Sequence, residues 1–299
     1  MSELVLVESK HPLEEAQQRF DELIGIDDHK QQIVDHLLLH LDPERLRRWA
    51  RKHHGKGLAI AHKLAERAPL ILLSGDVGCG KTALATSAAT PLAKQLNAQV
   101  LCFETPSDIR GSGRVGEISA RITAAFHQAR SRLSRSSYGL LVIDEADDLA
   151  TSRSQMQAHH EDRAGLNVLV KQLDMVDRER SHLGVLLITN RAGVLDPAVV
   201  RRISLHLSFH RPDDIARRKL FEQMLAGTHY TSAELNALVD ATASQTVPYS
   251  YSDLTGRLAQ AAIYRAWRED RPFGVGLLQA TVAEIEPSPL VDVEPLERR

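Results

Sequence analysis

The chain has 299 residues and a formal net charge of −2, with 43% apolar, 25% charged and only 4% aromatic residues. That length can bury a core of about two domains, and the near-neutral balance gives no global field that would gather nucleic acid or an anionic membrane surface. Two cysteines exclude a disulfide framework, no apolar stretch approaches the ~18 residues of a membrane span, and Leu4-Val5-Leu6-Val7 is too short for a secretory signal, so a reducing, cytoplasmic setting is expected.

Residues 1–19 read as a short N-terminal extension. Further on, residues 44–67 carry eight Lys/Arg against two Glu, with Trp49 as their aromatic residue. A solvated helix face explains that charge better than a nucleic-acid surface, because no aromatic platform is interleaved with it.

The apolar run Leu70-Ile71-Leu72-Leu73 then leads into Gly75-Asp76-Val77-Gly78-Cys79-Gly80-Lys81-Thr82, followed by Ala83. This is the spacing of a phosphate-binding loop between a strand and a helix. Glycines let backbone N–H groups converge on phosphate oxygens, Lys81 neutralises the β/γ charge, and the Thr82 hydroxyl can ligate Mg²⁺. A site for ATP or GTP is predicted.

Leu140-Leu141-Val142-Ile143 ends in Asp144 and Glu145 about 60 residues later, which predicts a metal-holding acid and a water-polarising acid beside the phosphate loop. Val185 to Thr189 ends in Asn190, placed to hydrogen-bond the attacking water or the γ-phosphate. Asp196-Pro197 opens a short helix ending in Arg201 and Arg202, far from the nucleotide of their own chain. Adjacent guanidiniums there can serve a neighbouring copy's γ-phosphate, which requires a closed oligomer. His159-His160-Glu161 lacks the i, i+4 spacing that would put two imidazoles on one ion and is read as a loop.

Strands are expected at residues 70–74, 99–103, 140–144, 184–189 and 203–209, separated by helical patterns, which gives an α/β class with a five-stranded parallel sheet. In the last of these, apolar and polar residues alternate, as in an edge strand. The α/β domain is expected over 20–211. Four helices follow, making a helical lid domain over 212–286, and the Pro-rich, acidic residues 287–299 are expected to be disordered.

With these residues in sequence the chain resembles the AAA+ ATPases from Phe20 to about Ala283. The resemblance implies Walker A at Gly75 to Thr82, Walker B at Asp144 and Glu145, sensor 1 at Asn190, finger candidates at Arg201 and Arg202, and an adenine pocket at Ile24, Gly25 and Ile26. A narrower similarity is to the pachytene-checkpoint branch, ring ATPases that unfold part of HORMA-domain proteins. It is carried by Leu254-Thr255-Gly256-Arg257-Leu258, which would put Arg257 on the phosphates as sensor 2, and by residues 149–153 and 167–174. Bacterial relatives of that branch accompany HORMA proteins and nucleotidyltransferases in anti-phage operons. The resemblance implies a Mg²⁺-ATP-dependent homohexamer acting on a protein partner. Arg114, Val115 and Gly116 stand where its pore loop usually carries an aromatic, and the polar segment around His159 is the counterpart of a second pore loop. Two rival readings remain at this point: an AAA+ protein acting on DNA, such as a loader or transposition regulator, and a non-hydrolysing nucleotide-gated scaffold.

Overall fold

The computed structural model describes residues 4–291 except 56, 65–66, 107–108, 110–115, 135, 152–159, 180 and 244–246. Strand β1 (Val7–His11) precedes helices α1 (Glu14–Glu22), α2 (Asp27–Leu41), α3 (Pro43–His54) and α4 (Ala59–Leu64). Strand β2 (Leu70–Gly75) leads into α5 (Lys81–Ser87) and α6 (Ala89–Leu96), then β3 (Val100–Glu104), α7 (Glu117–Arg132), β4 (Tyr138–Ile143), α8 (Asp147–Ala150) and α9 (His160–Arg178). Strand β5 (Leu183–Thr189), α10 (Pro197–Val200) and β6 (Leu205–Phe209) complete the sheet, whose order is β1-β3-β4-β5-β2-β6.

All residues of β2 and β5 are buried, as expected for central parallel strands covered on both faces. The two-residue period of a strand divides them between two cores. Leu70 and Leu72 pack with α7 and α9, while Ile71 and Leu73 pack with α2, α5 and α6. Strand β6 lies at one edge, with Leu207 and Phe209 buried and His206 and Ser208 exposed.

The sheet has six strands rather than the expected five. The sixth, β1, comes from the N-terminal extension and pairs antiparallel with β3. Leu4 and Leu6 enter the α7/α9 core while Val5 and Val7 stay exposed. Gln128 on α7 donates to the Leu4 carbonyl, and the His11 Nδ1 lies 2.7 Å from the Thr90 hydroxyl. Long-range pairing therefore makes a strand of Val-Glu-Ser-Lys-His, a sequence with little strand preference of its own.

The helical part comprises α11 (Asp214–Met224), α12 (Ser232–Ala243), a π-helical stretch (Asp253–Leu258) continued by α13 (Ala259–Arg268), and α14 (Val275–Val282). Asp213 caps α11 by accepting from the Ala216 N–H at 2.8 Å. Thr231 and Glu234 form a reciprocal capping box ahead of α12. Leu220, Phe221, Leu235, Leu238, Leu254, Leu258 and Leu278 make a core separate from the two on the sheet.

Two further expectations change. His160, expected in a loop, opens α9; His159 is outside the described residues. Residues 287–291, expected to be disordered, are held by hydrogen bonds: the Ser288 hydroxyl donates to Asp253 Oδ1 at 2.5 Å and its N–H to Asp253 Oδ2 at 3.1 Å, while Arg211 donates to the carbonyls of Ser288 and Pro289. On α3, Arg45 and Arg48 face Asp42, and Arg47 and Arg51 face Glu44. Two carboxylates shared among four arginines thus offset part of the basic character of that segment.

Candidate nucleotide site

The phosphate-loop residues, Asp144, Glu145 and Asn190 converge beyond the C-terminal ends of β2, β4 and β5, where parallel α/β sheets place their ligands. A cavity of about 480 Å³ is lined by Val77, Gly78, Cys79, Gly80, Lys81, Thr82 and Ala83, by Asp144 and Glu145, by Asn190, and by Glu104, Thr105 and Ser252.

The loop demands its glycines. Gly75 has φ +133°, and a Cβ there would stand 2.0 Å from the Phe209 carbonyl oxygen. Gly78 has φ +73°, and its Cβ would meet the Ser252 side chain at 2.8 Å. Both positions combine left-handed backbone with close approach, which only glycine tolerates.

Lys81 is buried, and its Nζ donates to the carbonyls of Gly75 at 2.9 Å and Asp76 at 2.7 Å. Burial lowers its pKa, partly offset by the negative groups around it, including Asp144 and Asp76. The Thr82 hydroxyl donates to Asp144 Oδ2 at 2.7 Å, so the first helical turn of α5 and the end of β4 meet directly. A hydroxyl and a carboxylate oxygen this close are the hard donors that Mg²⁺ prefers, with phosphate and water completing an octahedron. These residues therefore fit the ion. Cys79 is inert in this setting: burial, with Asp76 adding to it, pushes its thiol up to about 11.

Glu145 carries a left-handed φ of +52°. Such a backbone costs a non-glycine residue about 1 kcal/mol or more and persists where surrounding structure imposes it. Here the Glu145 N–H donates to Asp144 Oδ1 at 2.8 Å, and the next N–H, of Ala146, donates to the Ile188 carbonyl at 2.8 Å. Glu145 is exposed and lines the cavity, as does Asn190.

This arrangement agrees with the similarities of the whole chain. Residues 71–211 match the model of the ATPase family associated with various cellular activities, AAA. CD-NTase-associated protein 6 of Escherichia coli strain MS 115-1 is 36% identical over 264 residues, 85% of each chain. The chain belongs to the AAA ATPases. The Trip13 structure in an E. coli MS115-1 HORMA:CdnC:Trip13 complex superimposes with a TM-score of 0.90 at 34% identity, covering 97% of this chain and 98% of that one. A Rhizobiales Trip13 structure gives 0.72 at 28%, covering 95% and 98%. This AAA ATPase is thus Trip13-like, and its chemistry is ATP hydrolysis.

The remaining expected residues of the ATPase fall outside the cavity. Ile24, Gly25 and Ile26 are not in its wall: Ile24 packs on the helical core, Ile26 on the sheet core, and Gly25 lies against the Tyr251 hydroxyl. Arg201 and Arg202 line a separate cavity with Leu70, at the opposite end of β2 from Gly75, roughly 17 Å of strand away. Arg202 is committed within the chain, its guanidinium gripping Asp174 through bonds of 2.7 and 2.9 Å and donating to Ala198. Arg201 is exposed. Arg257 is on the π-helical stretch, but instead of pointing at the phosphate loop it donates to Asp253 Oδ1 at 3.0 Å and to the Glu286 carbonyl at 2.8 Å. Arg114 and Val115 are outside the described residues; Gly116 precedes α7 with φ +81°.

Besides the lining residues Glu104, Thr105 and Ser252, three residues that support the site were not among those predicted for it. Asp147 Oδ1 accepts from the Thr189 hydroxyl at 2.7 Å, and that hydroxyl accepts from the Arg191 N–H, so the segment after Glu145 is fastened beside Asn190. Its place in an acidic cluster was visible, its partner was not. Asp76 and Arg211 form a buried ion pair, 6% and 5% exposed. An aspartate within the glycine-rich loop was the available signal for it.

Proposed function

We propose that this ATPase works as a homohexamer in the cytoplasm, with Mg²⁺-ATP bound between subunits, and remodels a HORMA-domain protein that regulates a bacterial nucleotidyltransferase of an anti-phage system. The observation that carries this reading is the division of the site. Lys81, Thr82, Asp144, Glu145 and Asn190 share one cavity, whereas Arg201 lies exposed at the other end of the same strand. The Trip13 that resembles this chain over nearly its full length occurs in a complex with HORMA and CdnC, which supports the choice of partner.

In the mechanism, backbone N–H groups of residues 77–82 receive the phosphates at the start of α5. Lys81 exchanges its two carbonyl partners for phosphate oxygens. Thr82, and Asp144 through water, would hold Mg²⁺, which when bound would supply charge neutralisation for the phosphates. Glu145 orients and polarises the attacking water, and Asn190 fixes that water against the γ-phosphate. Arg201 of the neighbouring copy stabilises the developing charge, with Arg202, clamped to Asp174, holding the short helix that presents it. Movement of the lid and of the segment around Arg114, Val115 and Gly116 then transmits hydrolysis to the partner.

Replacing Glu145 with Gln is expected to leave ATP binding intact and lower turnover by about 10²- to 10⁴-fold, trapping the assembly with its HORMA partner. ATPase assays and co-purification with a HORMA-domain protein check it; wild-type turnover by Glu145→Gln would overturn the water-activating role.

A further inference from the structure

Residues 286–291 run across the junction between lid and phosphate loop, where they bond to Arg257, Asp253, Arg211 and the loop residue Asp76. Arg257 donates to the Glu286 carbonyl at 2.8 Å and lies 3.5 Å from the Ser288 hydroxyl. Asp253, 1% exposed, receives both the N–H and the hydroxyl of Ser288, the Arg257 guanidinium, and the Ser250 N–H and hydroxyl. Burial alone would raise the Asp253 carboxyl; these hydrogen bonds outweigh it and hold the group well below the usual carboxylate range.

The same segment reaches the phosphate loop through Arg211. That guanidinium donates to Asp76, to the Pro248 carbonyl at the start of the lid's second half, and to the carbonyls of Ser288 and Pro289 at 2.8 and 3.0 Å. Asp76 belongs to the loop itself, and its backbone carbonyl accepts from Lys81. The lid closes the circuit, because the Ser252 N–H donates to the Gly78 carbonyl at 3.1 Å.

We propose that residues 286–291 form a latch that withholds Arg257 from the triphosphate until nucleotide draws the phosphate loop and lid into their bound arrangement. The inference rests on the reading of the cavity as an ATP site with Arg257 as its lid arginine, and it adds a regulatory element that the Walker and sensor motifs do not contain. Its physical basis is competition for one guanidinium. The contacts of Arg257 with Asp253, the Glu286 carbonyl and Ser288 all run through Nη1 and hold the guanidinium toward the strap, so they oppose its turning toward a phosphate oxygen. When Lys81 turns to phosphate it releases the Gly75 and Asp76 carbonyls, loosening the loop that anchors Arg211 and, through it, the strap.

Ser288→Pro tests the latch, since proline removes both the N–H and the hydroxyl that bind Asp253. Affinity for a fluorescent ATP analogue is measured in the Glu145→Gln background, where hydrolysis does not intervene. The latch predicts affinity tightened by about 5-fold or more, and no tightening when Arg257→Ala is present as well. Ser288→Ala, which removes the hydroxyl alone, should show the same Arg257-dependent gain at smaller size. In the unmutated chain, amide exchange at residues 286–291 should quicken when the analogue binds. Unchanged affinity in both Ser288 variants, a gain that survives Arg257→Ala, or exchange that slows on binding would each overturn the latch. Failure of the unmutated chain to bind the analogue at all would instead overturn the nucleotide site.

Discussion

The two ends of β2 hold their candidate catalytic groups in opposite ways. At the Gly75 end the chain supplies its own partners: Lys81 is satisfied by two loop carbonyls, Thr82 by Asp144, and Glu145 is set by a backbone that its neighbours impose. At the Leu70 end the chain stabilises one arginine and offers another, with Arg202 locked to Asp174 and Arg201 left exposed. One end has its groups gathered around a cavity, while the other leaves one arginine open to solvent. On the proposed reading, hydrolysis would report on assembly, because neither end would suffice alone.

The largest effect that would break this comparison is at the arginines. Arg201→Ala is expected to lower turnover by about 10³-fold or more while leaving ATP binding and folding intact. Arg202→Ala should instead show lost stability, since Asp174, whose carboxyl the Arg202 guanidinium holds below its ordinary range, is left without its partner. Thermal melting and steady-state kinetics on the two variants separate these outcomes; equal melting with equal kinetics would mean that the two arginines share one role.

A second test sharpens the contrast at the loop end. Arg211→Met leaves Asp76 as a buried charge without its cation, which costs about 3–5 kcal/mol, and denaturant unfolding should show it. An unfolding midpoint like that of the wild type would mean that the Asp76–Arg211 pair is not a structural tie.

The smallest effect is on pH. At the Leu70 end, burial and the neighbouring His40 lower His36 to about 4, and its Nε2 lies 2.8 Å from the hydroxyl of Ser204, which in turn donates to the Leu70 carbonyl at 2.9 Å. Because the folded chain resists protonating His36 and the unfolded chain does not, its contribution is intact above about 6.5, the ordinary histidine value, and is lost progressively as pH falls toward 4. At the other end, Asp253 stays ionised across that window. Melting temperature should therefore be flat from pH 8 to 7 and fall below about 6.5. His36→Gln should flatten part of that fall, and an unaltered fall would remove His36 as its source.

What the sequence revealed follows from the range of each interaction. Phosphate binding forces Gly75, Gly78, Lys81 and Thr82 into eight consecutive residues, and Asp144, Glu145 and Asn190 each end a buried strand, so pattern alone located them. The alternation along residues 203–209 was likewise enough to mark an edge strand. By contrast, β1 depends on register with β3, and Val-Glu-Ser-Lys-His advertises none of it. Arg257 was legible as a residue but not in its engagement, because its partners include the Glu286 carbonyl at the very end of the expected lid and the Ser288 hydroxyl of a segment that composition assigned to disorder. Asp76 and Arg211, 135 positions apart, meet only once the sheet and lid are assembled. Motifs encode what the ligand requires, whereas the ties that control those motifs are made at long range.

The central claim is that catalysis is shared between copies, and specific ATPase activity measured alongside assembly mass over a range of protein concentrations tests it most directly. The account predicts that turnover per chain rises and falls with the assembled fraction and vanishes on dilution to the single chain. A single chain that hydrolyses ATP at the rate of the assembly would contradict it.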